Sequence, residues 1–233
     1  MNNKLFSERN IQQFVDLWKD SSFLEATFIT LYMTLISTAV AYIFGLAIGI
    51  VLYVTSKNGI KPMPILNKIL GFVVNILRSI PFVILIVALM PFTYSIIGTS
   101  VGNMPMIVTL IIASAPYIAR VVEQSLNEVN HGVIEAAEAM GANTFQIIWK
   151  VLLPEAKPSL VNGFIICIVT IIGYTAMAGS IGAEGLGQLA IDSGHKKSNY
   201  LVVWVCIIII VIIVQLIQEF GTFISKKIDK RIK

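Results

Sequence analysis

Long apolar runs separated by short polar segments dominate this chain. Five runs stand out, at about 23–54, 69–97, 104–122, 156–178 and 200–223. A helix needs roughly 20 apolar residues to cross the hydrocarbon core of a bilayer, and each run is about that long or longer. Pro81 lies inside the second run and predicts a kink there, because proline removes a backbone donor. The pattern predicts an all-α integral membrane protein with five transmembrane helices.

Composition narrows the class further. Of the 233 residues, 56% are hydrophobic and 13% are charged, whereas soluble domains carry roughly 25% charged residues. No GxxxxGK[ST] loop is present, so any nucleotide hydrolysis would need another chain. The net charge of +4 lies in particular loops and at the ends, and it does not indicate a nucleic-acid partner. No residues have catalytic or metal-ligand spacing, so we predict neither a catalytic site nor a metal site.

Charge distribution predicts the orientation in the membrane. The loop 55–68 carries three lysines and no acid, and the tail 224–233 is strongly basic. Basic segments stay on the cytoplasmic side, whereas the uncharged turn 98–103 suits the outer face. With five spans, the N-terminus is therefore expected outside and the C-terminus in the cytoplasm.

Two features of the spans remain open to alternative interpretations. Gly45 and Gly49 form a small-xxx-small pair that suits close helix packing, although glycine is common in membrane helices in any case. Arg78 is either a charge in a solute pathway or an anchor that reaches the cytoplasmic interface. Its closeness to the lysine-bearing loop favours the anchor.

Polar segments outside the spans carry their own signals. Residues 1–22 are polar and of mixed charge, with apolar residues at helical spacing, and they predict a short interfacial helix. These apolar residues are Ile11, Phe14, Val15 and Trp18. The segment 179–199 contains five glycines and cannot form one regular helix.

The segment 130–154 predicts a helical elbow between two spans. Asn130 is expected to cap a first short helix, and Gly141 to end it in the left-handed conformation. Asn143, with a glutamine three residues later, predicts a capping box for a second helix. Pro154 is expected to stop that helix.

Apolar residues at helical spacing give this elbow a surface that a partner protein could hold. In the first helix they are Val133, Ala137 and Met140, with Ala136 and Ala139 beside them. In the second helix they are Phe145, Ile148, Trp149 and Leu152.

The elbow also resembles a known element. Glu135-Ala136-Ala137, followed by Gly141 and Leu153-Pro154, is similar to the EAA loop of ABC importer permeases. The resemblance implies the ABC transmembrane type-1 fold over 23–223, with 130–154 as the elbow that contacts an ATP-hydrolysing subunit. Glu135, Ala136, Ala137 and Gly141 are the residues that it assigns to this contact.

Further stretches resemble the methionine-import branch of these permeases. They are residues 75–82, 91–93, 98–100, 115–120, 150–156 and 173–177. The resemblance implies a subunit that moves methionine, in its L form and also its D form, across a bacterial plasma membrane by alternating access. It also implies a second permease copy, two ATPase subunits and an extracytoplasmic substrate-binding lipoprotein. ATP would be bound by the ATPase partner, so no cofactor is expected in this chain.

The fourth run holds polar residues inside an otherwise apolar helix. Polar groups in a span usually face a bundle interior or an aqueous path. We therefore propose Tyr174, Thr175 and Met177 as residues that line the translocation path; routine helix packing is the alternative interpretation.

Two other functions remain open from the sequence. The same machinery could import another amino acid or a methionine-containing dipeptide. A membrane scaffold or an embedded enzyme would need no ATPase, so an ATPase partner would separate it from an importer.

Overall fold

The computed structural model describes residues 7–229, and all regular structure in that range is helical. The α-helices are α1 Glu8–Lys19, α2 Ser22–Thr55, α3 Pro64–Ser79, α4 Phe82–Ile97, α5 Asn103–Asn127, α6 His131–Ala139, α7 Thr144–Ile147, α8 Leu153–Ala178, α9 Leu186–Leu189 and α10 Tyr200–Ile228. Wider π-helical turns cover Ile148–Leu152 and Ala190–His195, and a 3₁₀ turn covers Gly179–Ile181. The end of the predicted basic tail, from residue 230, lies outside the described residues, as does the start of the polar segment 1–22.

Four helical stretches are long and apolar enough to cross a membrane: α2, α5, the continuous stretch Thr144–Ile181 and α10. The predicted second span is instead two helices, because α3 and α4 meet at a bend of 105°. The five predicted spans are therefore present only if this bent pair counts as one.

Pro81 explains the break. The residue before a proline is disfavoured in helical conformation, and Ile80 is extended with ψ 124°. The predicted kink is confirmed, although it is a complete interruption of the helix.

The expectation that Pro154 ends the elbow helix is wrong. α7 continues through the π turn Ile148–Leu152 into α8, and Pro154 is the second residue of α8. The N–H of Leu153 bonds to the carbonyl of Ile148, five residues back. A π turn is wider than an α turn, which gives the proline ring the space that the preceding carbonyl would otherwise occupy. The elbow and the fourth span are therefore one continuous helical element.

The chain divides into two compact units. One contains the residues up to 38 together with 82–111 and 168–217. The other contains 39–81, 112–167 and the residues from 218 onward. The elbow belongs to the second unit, and the glycine-rich segment 179–199 belongs to the first.

Close helix packing explains the glycine pair of α2. A Cβ atom on Gly45 would lie 2.5 Å from Cγ2 of Ile118, and one on Gly49 would lie 2.7 Å from the carbonyl oxygen of Ala119. α2 and α5 therefore approach each other to a distance that a larger side chain would prevent. The packing interpretation of these glycines is confirmed.

Polar contacts fix α3 against its neighbours in the same unit. The guanidinium of Arg120 on α5 donates to the carbonyl of Gly71 at 3.1 Å and to Oδ1 of Asn75 at 3.0 Å. It also pairs with Glu123 at 2.6 Å. Arg78 lies with its guanidinium carbon 6.0 Å from the centre of the Tyr117 ring, within the range of a cation–π contact.

The first unit is held by a cluster of buried residues from α2, α9 and α10. The cluster contains Phe23, Ala26, Leu186, Val202 and Cys206. Phe14 and Leu17 of α1 pack against it. The helix predicted near the N-terminus is therefore present, and part of its apolar side packs against the rest of the chain. Its position at a membrane interface stays a prediction.

Candidate coupling elbow and translocation path

The turn between α6 and α7 is built from local capping chemistry. Oδ1 of Asn130 accepts from the N–H of Gly132 at 2.8 Å at the start of α6. At its end, Gly141 has a φ of +79°, a conformation that glycine adopts without steric cost. The N–H groups of Gly141 and Ala142 bond back to the carbonyls of Glu138 and Ala137 at 2.9 and 3.1 Å. This pair of bonds is the Schellman arrangement, and it confirms the predicted helix end.

The start of α7 is a reciprocal capping box. Asn143 accepts from the N–H of Gln146 through Oδ1, and Gln146 accepts from the N–H of Asn143 through Oε1, each at 2.9 Å. Two backbone donors that the helix leaves unpaired are thereby satisfied. The elbow is a well-defined local structure before any partner is considered.

The elbow exposes several large apolar side chains. The exposed fractions are 40% for Val133, 82% for Met140, 68% for Phe145 and 57% for Trp149. The rings of Phe145 and Trp149 lie 6.0 Å apart, centre to centre. Other apolar residues of the elbow are buried, among them Ile134, Ala137, Ile147 and Leu152. Exposed apolar residues concentrated in this way are typical of a surface that binds another protein.

The residues assigned to the coupling contact are not all exposed. Glu135, Ala136 and Gly141 are exposed. Ala137 is only 3% exposed, so its side chain packs inside this chain. The stripe predicted for the first helix is not exposed along its whole length, because Val133 and Met140 are exposed while Ala137, between them, is buried.

The three residues proposed for the path lie in different surroundings. Tyr174 stacks on Phe82, with ring centres 4.3 Å apart and planes inclined by 11°. Thr175 is 3% exposed, and its hydroxyl donates to the carbonyl of Ile172 at 2.8 Å within the same helix. Met177 is 48% exposed and lies on the side of α8 that Tyr174 also occupies, because residues three apart are neighbours on a helix. The structure brings Tyr174 and Met177 to one side and leaves Thr175 on another.

Phe82 is a contact that sequence reasoning missed. It is the first residue of α4, directly after the break at Pro81, and it is 9% exposed. Its partner Tyr174 is distant along the chain, and no local pattern indicates the pair.

Residues 45–233 match the family of binding-protein-dependent transport system inner membrane components. The chain belongs to this family. It is 43% identical over 208 residues to the probable D-methionine transport system permease protein MetI of Vibrio cholerae, covering 89% of this chain and 92% of the relative. It is 47% identical over 206 residues to the methionine import system permease protein MetP of Bacillus subtilis, covering 88% and 93% respectively.

Solved structures agree with this membership. A chain of the MetNI methionine ABC transporter, described in inward-facing conformations, superposes with a TM-score of 0.86 and 42% identity, covering 97% of this permease and 100% of that chain. An amino acid ABC transporter with histidines gives a TM-score of 0.75 at 16% identity, covering 92% and 98%, and shows the fold alone. The permease therefore has the ABC transmembrane type-1 fold. It is a transport subunit and not an enzyme, and it is a multi-pass protein of the bacterial plasma membrane.

Proposed function

We propose that this permease is the membrane subunit of an ATP-driven importer of methionine, in its L and D forms. The observation that carries the proposal is the 43% and 47% identity, over nearly the whole chain, to relatives named as methionine permeases. Two copies of the permease would work with two ATPase subunits and an extracytoplasmic substrate-binding lipoprotein. ATP would bind to the ATPase subunits, and the permease itself would hold no cofactor.

The elbow supports this assignment in mechanical terms. Its capped turn presents an apolar surface, and α7 continues into α8 as one helical stretch, Thr144–Ile181, of 38 residues. Movement of an ATPase subunit against the elbow would therefore be transmitted to the part of α8 that carries Tyr174 and Met177. Alternating access would follow from the ATP-dependent closing and opening of the ATPase pair.

The proposed orientation has the N-terminus outside and the C-terminus in the cytoplasm. The lysines of the loop after α2 and those at the end of α10 support it, since basic residues concentrate on the cytoplasmic side. They are Lys57, Lys61, Lys226 and Lys227. The elbow then lies on the side where ATP is available.

Uptake of radiolabelled methionine tests the cargo. Cells that lack their methionine importers are compared with and without this permease and its ATPase and binding protein. We expect uptake to be restored and to be blocked by unlabelled L- and D-methionine. If uptake is restored but Gly-Met or another amino acid blocks it more strongly than methionine does, the protein is still an importer subunit, but its cargo is that competitor and not methionine. An unchanged rate in cells that contain the assembled complex would contradict the proposal.

Substitution of Trp149 tests whether the exposed apolar residues of the elbow bind the ATPase subunit. Trp149→Ala should reduce the ATPase that co-purifies with the permease by roughly thirtyfold, because a tryptophan that acts as an interface hot spot contributes about 2 kcal/mol or more. The amount of each protein after affinity purification is the measurement. Trp204→Ala is the matched control, because Trp204 on α10 is 56% exposed against 57% for Trp149. Equal recovery of the ATPase with both variants would exclude Trp149 from the contact.

A further inference from the structure

α1 lies outside the range that the family matches, which begins at residue 45, yet it is bonded to a distant part of the same unit. Nε2 of Gln13 donates to the carbonyl of Ser193 at 3.0 Å. Nδ2 of Asn199 donates to Oε1 of Gln13 at 3.1 Å and to the carbonyl of Asn10 at 3.0 Å. Gln13 therefore bridges α1 to both ends of the stretch 193–199.

Two of the amides in these contacts are buried, so breaking their hydrogen bonds would destabilise the unit. Asn199 is 0% exposed and Asn10 is 8% exposed. A buried amide that loses its partner bears the cost of desolvation without compensation. Next to the amides, Phe14 and Leu17 of α1 pack against the buried cluster that contains Leu186 and Val202. α1 is thus fixed by polar and apolar contacts together.

The stretch that α1 contacts has little regular structure of its own. The segment 179–199 contains a 3₁₀ turn, the four-residue helix α9 and a π-helical turn. Gly182 and Gly185 have positive φ angles of 108° and 113°. Short turns of this kind gain few internal hydrogen bonds, so contacts with other parts of the chain determine their position.

Different parts of the chain fix the two ends of this segment. Near its start, Nδ2 of Asn103 donates to Oε2 of Glu184 at 2.7 Å, and the N–H of Leu186 donates to Oγ1 of Thr30 at 3.0 Å. Near its end, the contacts come from α1 through Gln13. Between them the segment exposes His195, Lys196 and Lys197 to solvent. In the proposed orientation this surface is extracytoplasmic.

We propose that α1 is a strap that holds residues 190–199 in the position needed for docking of the substrate-binding protein, with Gln13 and Asn199 as its positioning residues. The inference rests on the proposed function, because the partner and the orientation come from it. Gln13 and Asn199 act through the segment that they hold and do not themselves touch the partner.

Gln13→Glu tests the strap with a close control. The change removes the donor to Ser193 and places a carboxylate against a carbonyl oxygen. Gln12→Glu introduces the same charge one residue away on an exposed part of α1, where Gln12 contacts Asp16 at 3.2 Å. The control places two acids four residues apart and so disfavours the helix itself. A defect confined to Gln13→Glu therefore cannot come from charge or helix propensity.

The readout is ATP hydrolysis by the complete complex in vesicles, measured against the concentration of methionine-loaded binding protein. For Gln13→Glu we expect the half-maximal concentration to rise by about tenfold, the size expected when a partly buried carbonyl loses its donor and faces a carboxylate instead. The maximal stimulated rate should stay within about twofold, and Gln12→Glu should match the wild type. Equal half-maximal concentrations for the two variants would overturn the strap. A wild-type complex that the binding protein does not stimulate would instead overturn the proposed function, and this inference with it.

A second variant decides the question if Gln13→Glu fails to assemble. The double variant Gln13→Cys/Ser193→Cys removes the bridge and allows a short thiol cross-linker to replace it. Cys167 and Cys206 are buried and need not be removed. We expect a raised half-maximal concentration before cross-linking and recovery of the wild-type value after it. Loss of stimulation on cross-linking would show that α1 must move away, which contradicts a fixed strap.

Discussion

Gly141→Pro should lower methionine uptake by about a hundredfold while the permease still reaches the membrane. Gly141 has a φ of +79°, whereas proline is fixed near −65°. Its N–H also donates to the carbonyl of Glu138 at 2.9 Å, a bond that proline cannot make. A cost of about 3 kcal/mol for a misplaced proline corresponds to roughly a hundredfold loss of the correctly formed elbow. Uptake and the ATPase rate are measured on the same complexes.

Gly141→Asn is the control for Gly141→Pro, because it adds a side chain while keeping the backbone conformation of the turn. Asparagine is the residue that most readily replaces glycine in the left-handed region, and it keeps the backbone donor. We expect uptake within about fivefold of wild type for this variant, because the conformation costs roughly 1 kcal/mol. ATP hydrolysis that continues without uptake in Gly141→Pro would be the sign of uncoupling. Wild-type uptake by Gly141→Pro would mean that the elbow does not carry the coupling movement.

The elbow was the most predictable part of the structure because its signals are local. Asn130, Asn143 and Gly141 act on backbone groups within a few residues of themselves, and each does what its side chain or its missing side chain predicts. Hydropathy likewise indicates the membrane class, since soluble folds do not accommodate such long apolar runs, but it did not show that the second run is two helices. These conclusions needed no knowledge of which parts of the chain lie next to each other.

Other features depended on tertiary context and were missed or misjudged. Pro154 was expected to end a helix, but the wide turn before it lets the helix continue. The apolar spacing of α6 predicts that Ala137 belongs to a partner-binding surface, but Ala137 is buried, and the same spacing occurs whether a residue packs inside the protein or against a partner. The pairing of Phe82 with Tyr174 joins separate helices, and a single sequence carries no signal for it.

Gly187→Ala should reduce the amount of folded permease several-fold, because the added methyl group has no space. An added Cβ atom on Gly187 would meet the backbone of Ala176, lying 2.7 Å from Cα and 2.8 Å from the carbonyl carbon, with the carbonyl oxygen closer still. Backbone atoms inside α8 cannot rotate away as a side chain would. Overpacking of a buried site typically costs about 1–3 kcal/mol, and Gly187 is buried.

The matched control for this substitution is Gly173→Ala. Gly173 lies on the same α8 helix as Ala176, but no atom beyond its chain neighbours and the adjoining backbone of its own helix lies within 4 Å of its added Cβ. Both changes add one methyl group, and neither glycine has a positive φ. Membrane extracts analysed by size-exclusion chromatography should show a reduced, heat-sensitive Gly187→Ala peak and a Gly173→Ala peak like the wild type. Equal peaks would mean that α8 and α9 do not pack backbone to backbone. The position of the glycine-rich segment 179–199 would then depend more strongly on its contacts with α1.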